Sequence, residues 1–510
     1  MDFTALKSYQ KLKSLSNIAP NLTDEKVFNA KRVKKYSLIK EGFKLLYATE
    51  RVNDEILNEL LNLAHESNAL KKMHGMQSGE IVNLSEKREA LHTATRDFFE
   101  NKKTALKAKG LSDLAFLEIV KLKEFLKETD DKFDTIVQIG IGGSFLGPKA
   151  VYEALKKYAI KKRKAFFISN VDPDNISEIL SKIDIKKTLF ISVSKSGTTL
   201  ETLTNENFII EELKKNNLYP NEQIVSVTIK NSPMDNPKNY LRSFYIWDSI
   251  GGRFSTTSMV GAVLLSFVLG YESFEKFLKG ANRMDKLALE EPEANLPLIS
   301  ALLGIWNRSF LNHINLAIIP YSNALFYFCN HLQQLDMESN GKSVDVFKNK
   351  IEFETGAIIF GDVGTNAQHS FFQFLHQSND IVPIEFIGCK NSQYSKDLKI
   401  NDTSSQEKLL ANLFAQSISL AMGKKEKDMN KNFSGNRMSH IILIDNLDPY
   451  TMGALLSYFE HKIVFQGFIW NINSFDQEGV ELGKKLANKI LDVYANKKDD
   501  FDIAKEFMKY

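Results

Sequence analysis

The alternation of short β-rich runs with helical periods constrains the fold of this chain more than any other feature. Five runs rich in Val, Ile, Phe and Thr occupy residues 135–139, 165–169, 188–193, 223–229 and 244–247. Five more occupy residues 316–319, 357–360, 382–387, 441–444 and 463–468. Strands that alternate with helices form parallel sheets whose faces those helices cover. We therefore predict an α/β fold with two doubly wound domains, each a mainly parallel sheet that binds ligands at the carboxyl ends of its strands.

The length of the chain, 510 residues, exceeds what one hydrophobic core usually organises. Residues 1–105 are charged and amphipathic with few strand signals, which predicts an N-terminal helical segment packed on the core. A polar stretch between residues 271 and 297 separates the two sets of strands, so we assign residues 106–275 to the first domain and 276–487 to the second. Residues 488–510 are charged, and we expect a C-terminal helical arm.

The charge balance argues against a nucleic-acid-binding protein. The 66 Lys and Arg residues face 63 Asp and Glu residues, which leaves no excess to neutralise many phosphates. The apolar run at residues 259–271 is too short to span a bilayer, and residues 1–7 lack a signal-peptide apolar region. Cys329 and Cys389 lie in apolar runs, which predicts two buried thiols. We expect a cytoplasmic protein with neither a membrane nor a nucleic-acid partner.

Two strand-to-helix turns are candidate anion sites. In the first, residues 140–144, backbone N–H groups and the positive end of a helix dipole would face the anion. A dinucleotide fingerprint needs a third glycine where Phe145 stands, which disfavours a nucleotide. In the second, residues 194–202, five hydroxyl side chains and Lys195 crowd one turn. That composition suits a phosphate monoester, and a structural cluster of helix-capping hydroxyls is the alternative.

Seven motifs resemble, in the same order, those of the glucose-6-phosphate isomerase (phosphoglucose isomerase) family. They are GIGGS (140–144), SKSGTTLET (194–202), GGRFS (251–255), QQLDMESNGK (333–342), GTNAQH (364–369), GNR (435–437) and NSFDQEGVELGK (473–484). The resemblance implies two sugar-isomerase-type (SIS) domains and reversible isomerisation of glucose 6-phosphate to fructose 6-phosphate without a cofactor or a metal. It also implies a homodimer with shared active sites. In the last motif, Glu478 replaces a tryptophan that many members carry.

The resemblance assigns catalytic roles to four residues. Glu338, near the end of a predicted helix at 324–338, would carry a proton between C2 and C1 through a cis-enediol. Arg253 would face the negative charge of the enediolate. His369 and Lys484 would open the sugar ring, and His369 would enter from the neighbouring subunit.

A further set of residues would hold the sugar phosphate. It comprises Gly142, Gly143, Ser144, Ser194, Lys195, Ser196, Thr199, Gln334 and Gln477. Gln334 lies one turn before Glu338 on the same helix face. Gln477 and Lys484 would share a helix face after a strand-like run at residues 463–470.

Two other functions compete with this interpretation. A non-catalytic sugar-phosphate-binding regulator on the same scaffold would keep the hydroxyl-rich turn but would need neither a base nor a ring opener. A metal-dependent sugar isomerase is disfavoured, because the nine histidines form no recognisable metal-ligand spacing.

Overall fold

A computed structural model describes residues 2–99, 106–394, 396–495 and 501–510 of the chain. Two parallel-stranded sheets flanked by helices dominate it, which confirms the predicted α/β class with two doubly wound units.

The N-terminal region contributes strands as well as helices. Its elements are α1 (Lys7–Ser16), α2 (Ala30–Lys35), β1 (Ser37–Lys40), β2 (Phe43–Leu46), α3 (Asp54–Glu66), α4 (Ala69–Ser78), β3 (Ile81–Asn83) and β4 (Arg88–Glu89). β1 and β2 form a hairpin that extends the second large sheet, while β3 and β4 form a separate small hairpin. The prediction of a helical segment is therefore wrong at residues 37–46 and 81–89, where the two hairpins lie. A run of four residues is too short for its hydrophobic period to distinguish a strand from part of a helix.

The first α/β unit follows in the chain. Its elements are α5 (Leu106–Thr129), β5 (Thr135–Ile139), α6 (Leu146–Leu155), β6 (Lys164–Ile168), α7 (Pro173–Lys182), β7 (Thr188–Val193), α8 (Leu200–Lys215), α9 (Pro220–Gln223), β8 (Ile224–Thr228), β9 (Arg242–Tyr245), α10 (Met259–Leu269) and α11 (Tyr271–Leu287). The strand order is β6-β5-β7-β8-β9, and every pair is parallel. β5, β7 and β8 are buried along their whole length, which explains why their sequences are almost continuously apolar.

The second α/β unit repeats this arrangement. Its elements are α12 (Leu296–Ile305), β10 (Asn315–Tyr321), α13 (Phe326–Asn340), β11 (Ile358–Gly361), α14 (Phe372–Gln377), β12 (Ile384–Cys389), β13 (Lys399–Ile400), β14 (Thr403–Ser404), α15 (Ser405–Met422), β15 (Ser439–Ile444) and α16 (Pro449–Trp470). The sheet order is β1-β2-β15-β12-β10-β11, with β2 antiparallel to β15 and the other pairs from β15 to β11 parallel. β13 and β14 form a hairpin outside this sheet.

The strand predicted at residues 463–468 is wrong, because these residues lie inside α16. Asp448 caps this helix by accepting the Thr451 N–H at 2.8 Å, and Pro449 occupies its first turn. Almost every residue of α16 is buried, including Glu460 and Lys462. A helix buried on all sides shows no amphipathic period, so a short apolar run within it resembles a strand.

One continuous core joins both units to the N-terminal region, with members such as Leu12, Val151, Phe267, Trp306 and Val464. The stretch Gly252–Leu269 is long and apolar enough, by length and composition alone, to cross a membrane. However, 94% of it is buried inside the protein, as expected for a core helix. Burial of this stretch, and not its length, is the observation that argues against a membrane-spanning helix.

The C-terminal arm comprises α17 (Glu481–Tyr494) and α18 (Asp502–Phe507). α17 buries one of its described side chains, Val493, and leaves Leu482 68% exposed. Cys329 and Cys389, which the sequence predicts to be buried thiols, are both free and buried.

Candidate active site

Glu338 lies in the last turn of α13, which ends at Asn340 where the Gly341 N–H bonds the Met337 carbonyl. Gln334, one turn earlier, donates from Nε2 to the Glu338 carboxylate at 3.0 Å. The Glu338 side chain remains 20% exposed, so this carboxylate is oriented by the protein and still open to a ligand.

Arg253 follows a Gly-Gly turn and is 2% exposed. Its Nε donates to Ser339 Oγ at 2.7 Å, and its Nη2 donates to the Ser474 and Asp476 carbonyls at 2.7 and 3.0 Å. Burial lowers the pKa of the Arg253 guanidinium, and the Glu338 carboxylate raises it in part. The third nitrogen, Nη1, lies 3.5 Å from Glu338 Oε1. A fixed cation therefore stands beside the candidate base.

The glycine-rich turn after β5 packs against the Arg253 loop. A Cβ on Gly143 would lie 2.1 Å from the carbonyl carbon of Gly252, so only glycine permits this backbone approach. A Cβ on Gly142 would lie 3.3 Å from Gln334 Nε2. The Ser144 carbonyl accepts the Gln138 amide at 2.7 Å, which fixes the end of the turn.

The hydroxyl-rich turn after β7 is held by its own side chains. Ser194 Oγ and Thr199 Oγ1 are 2.8 Å apart, and the Gly197 N–H donates to Ser194 Oγ at 3.2 Å. Gly197 has a φ of +68°, which glycine adopts without strain. Ser196 and Thr198 are exposed and also share a hydrogen bond at 2.8 Å. The turn opens α8, and its exposed hydroxyls remain accessible.

Lys195 connects this turn to the Arg253 loop. Its Nζ donates to the Asp248 and Ile250 carbonyls at 2.9 and 3.2 Å. Burial lowers the pKa of the Lys195 ammonium, with the nearby Asp248 charge opposing that effect. Two of the three ammonium protons are thus used within the protein. The sequence predicts only a phosphate contact for Lys195, whereas the structure also shows this link between the two loops.

A cleft of about 920 Å³ opens in front of Glu338. Gln334, Lys342, Asp476 and Gln477 line it. Lys342 Nζ bonds Asp476 Oδ1 at 2.7 Å. The sequence alone assigns no role to Lys342 or Asp476. Both residues lie within the motifs at 333–342 and 473–484, so their position in a motif is the signal that could have identified them as site residues.

Asp476 also receives hydrogen bonds from a distant segment and from a neighbouring residue. Its Oδ2 accepts from Ser85 Oγ at 2.6 Å and from Asn473 Nδ2 at 2.9 Å. The N-terminal region thus reaches the wall of the cleft. Within the described residues, no three His, Cys, Asp or Glu side chains are grouped as metal ligands.

Of the predicted site residues, Gln334, Glu338 and Gln477 line the Glu338 cleft. Arg253 and the predicted residues of the turns after β5 and β7 are not among the described residues that line it.

Gln477, Lys484 and His369 are placed differently from expectation or lie away from the cleft. α17 begins at Glu481, so Gln477 precedes it and does not share a helix face with Lys484. Lys484 is exposed and donates to Glu481 Oε1 at 2.7 Å. His369 ends a 3₁₀ turn after β11 and is exposed. Neither His369 nor Lys484 is among the described residues that line the Glu338 cleft of the same chain.

A family model and individual relatives match this chain, and all of them indicate the same family. The family model described as phosphoglucose isomerase matches residues 46–506. Glucose-6-phosphate isomerase of Protochlamydia amoebophila is 50% identical, over 99% of this chain and 96% of the relative. The enzyme of the same name from Chlamydia caviae is 53% identical over 93% and 92%.

A crystal structure of a glucose-6-phosphate isomerase from Chlamydia trachomatis matches the present fold with a TM-score of 0.97. The two chains are 46% identical, and the match covers 100% of this chain and 99% of the other. A second crystal structure, of a Thermus thermophilus protein, shares the fold with a TM-score of 0.69 at 24% identity. From the paired Arg253 and Glu338, the extent of the family match and the near-complete structural overlap, it follows that this chain belongs to the phosphoglucose isomerase family.

Proposed function

We propose that this protein catalyses the reversible isomerisation of glucose 6-phosphate to fructose 6-phosphate. One observation carries the proposal: the Glu338 carboxylate is held between Gln334 at 3.0 Å and Arg253 at 3.5 Å on the wall of an open cleft. An aldose and a ketose interconvert when a proton moves between C2 and C1. One oriented carboxylate can remove that proton and return it.

Arg253 supplies charge stabilisation in this mechanism. Negative charge develops on the oxygens of the cis-enediolate, and a guanidinium held by three protein acceptors needs no reorganisation to meet it. Arginine keeps its proton at working pH, so it does not compete with Glu338 for the proton in transfer.

The turns after β5 and β7 hold the phosphate end of the substrate in this proposal. The backbone of Gly142, Gly143 and Ser144 and the side chains of Ser194, Ser196 and Thr199 surround the anion. Lys195 contributes one ammonium proton and joins this turn to the loop of Arg253. Binding at the non-reacting end positions C1 and C2 beside Glu338.

Ring opening requires groups from outside the cleft described above. We assign it to His369 and Lys484 and infer a homodimer in which His369 enters the partner's site. Two observations support this: His369 is exposed outside its own chain's cleft, and the arm exposes Leu482 by 68%, Ile503 by 67% and Phe507 by 78%. Apolar side chains on a projecting arm are typical of a surface that another subunit covers. We place the enzyme in the cytoplasm, in keeping with its two free, buried thiols.

A coupled assay tests the proposal directly. Purified protein with fructose 6-phosphate should produce glucose 6-phosphate, read through NADP reduction by a linked dehydrogenase. The rate should be the same after exhaustive treatment with EDTA. Binding of fructose 6-phosphate without turnover would instead identify a regulator. Loss of activity on chelation, restored by a divalent ion, would indicate metal-dependent chemistry.

A further inference from the structure

The second sheet carries a cleft of its own. It has a volume of about 740 Å³ and lies where β10 and β12 end, with Tyr321 and Cys389 on its wall. Tyr327, in the first turn of α13, also lines it, whereas Glu338 lies in the last turn of that helix. They are eleven positions apart along this helix, or about 16 Å at 1.5 Å per residue. The second cleft is therefore separate from the one that contains Glu338.

The topology of the sheet indicates that this position can bind a ligand. From β10 the chain passes to its neighbour β11 on one side, and then returns to β12 on the other side before continuing to β15. The crevice between the carboxyl ends of β10 and β12 is thus the point where the strand order reverses. In open parallel sheets, ligands bind at such switch points.

The first sheet has the same arrangement. Its order reverses between β5 and β7, and the turns after those two strands, residues 140–144 and 194–199, hold the phosphate end of the substrate in our proposal. The second cleft occupies the equivalent position in the second unit. Its rim is also built by both units, because Lys157 Nζ donates to the Gln393 carbonyl and Gln393 Nε2 donates to the Ala154 carbonyl at 2.8 Å.

The chemistry of the cleft favours a small phosphorylated ligand. Lys156 and Lys157 line it from the turn that follows α6. Glu153 is the only acidic residue among the described residues that line it, and its carboxylate lies 3.3 Å from the Lys156 ammonium, so Lys157 leaves the cleft with an excess of positive charge. The amide side chains of Asn366, Asn391 and Gln406 offer both donors and acceptors for hydroxyl groups. A cleft of this volume encloses a ligand of sugar-phosphate size.

We propose that this second switch-point cleft binds a phosphate monoester of a small sugar or polyol. The phosphate lies against Lys156 and Lys157, and the hydroxyl groups bond the amides across the cleft. The site is additional to the catalytic one. It does not depend on the identity of the reaction at Glu338.

Counting binding sites tests the proposal. Glu338→Gln protein, which cannot turn the ligand over in our mechanism, is titrated with fructose 6-phosphate by isothermal calorimetry up to millimolar concentrations. Two sites per chain are expected. Lys156→Ala with Lys157→Ala should weaken the second at least tenfold and leave one. Lys186→Ala with Lys187→Ala removes the same charge from another exposed lysine pair of the first unit, and this control should keep both sites.

Two further variants separate this proposal from the proposed function. Ser194→Ala with Lys195→Ala should remove the first site and leave the second, whatever the first site catalyses. Asn323→Trp places an indole at the exposed rim of the second cleft and should block that site without removing a charge. One site per chain, unaffected by the lysine or Trp changes, would overturn the proposal. So would a crystal structure of the dimer in which side chains of the partner fill the cleft.

Discussion

Nη1 of Arg253 lies 3.5 Å from Oε1 of Glu338, while the other two nitrogens of the guanidinium are fixed by Ser339, Ser474 and Asp476. The two residues come from different units of the chain, one from a loop after β9 and the other from the end of α13. Their pairing therefore depends on how the two units pack. It also leaves the Glu338 side chain 20% exposed at the cleft.

Replacing Glu338 with Gln should lower turnover at least about 10²-fold, because the amide keeps the shape of the side chain but cannot carry the proton. Binding of fructose 6-phosphate should change little. Steady-state kinetics and calorimetry on one preparation measure both quantities. Glu211→Gln makes the same chemical change on the exposed face of α8 and should behave as wild type. Turnover within a few-fold of wild type in the Glu338 variant would remove this residue from its role.

The double change Ser194→Ala and Lys195→Ala should raise KM for the sugar phosphate at least about tenfold and alter kcat much less, since these groups act at the non-reacting end. A small loss of thermal stability should accompany it, because the Asp248 and Ile250 carbonyls lose their donor. Ser181→Ala with Lys182→Ala changes the same dipeptide on exposed α7 and serves as control. An unchanged KM would mean that the phosphate binds elsewhere.

His440 should make stability depend on pH in the alkaline range. It is buried between Glu50 at 2.8 Å and Glu385 at 3.3 Å. Burial alone would lower the pKa of His440, but the hydrogen bonds to Glu385 and Glu50 outweigh it and raise the pKa to about 9. Because the folded-state pKa is above the unfolded value of about 6.5, this stabilisation is complete below about pH 6.5 and is lost as pH rises through about 9.

Urea denaturation at several pH values measures the effect of His440. The free energy of unfolding should fall between about pH 6.5 and 9 by an amount on the order of 1–3 kcal/mol. Burial raises the pKa of Asp336, near the same charges, from 3.8 to about 7. The contribution of Asp336 to stability is therefore lost as pH rises from about 4 through about 7, mostly below the range of His440. His440→Gln should flatten the alkaline part of the profile. A wild-type profile that is level from pH 6.5 to 9 would contradict the assignment.

Much of the fold could be predicted from the sequence because buried parallel strands are short, β-branched and bounded by polar turns. β5 and β7 begin and end at the predicted residues. The strand predicted at 463–468 failed because α16 is buried on all sides and gives no period. β2 was missed because it joins the sheet beside β15, almost 400 residues later in the chain. A strand of four residues carries little local signal of that long-range pairing.

The positions of candidate site residues could be predicted from the sequence where those residues lie within one contiguous motif. The side chains of Arg253, Glu338 and Gln334 lie together, because each motif fixes its own loop or helix end. Their roles in catalysis stay predictions. The contacts of Asp476 with Ser85 and Lys342 could not be found in this way. They join three separated segments, and a polar residue in a motif does not reveal which distant group it bonds.

The subunit origin of His369 can be tested without a structure of the dimer. Glu338→Gln and His369→Ala chains should each be inactive alone. Refolded together in equal amounts, they form heterodimers in which one site carries both changes and the other carries neither. Half of the dimers are mixed and each has one intact site of two, so roughly a quarter of wild-type activity should return.

The recovered activity in this experiment depends on geometry alone, because no chain in the mixture contains both Glu338 and His369. Each parent refolded by itself controls for residual activity and for the refolding step. Native mass spectrometry should show the mixed dimer at about half of the total, as random pairing of two-fold symmetric dimers requires. A mixture as inactive as its parents, with that heterodimer present, would place His369 and Glu338 in the site of one chain. His369 would then have to reach the Glu338 cleft by moving from the exposed position that it occupies here.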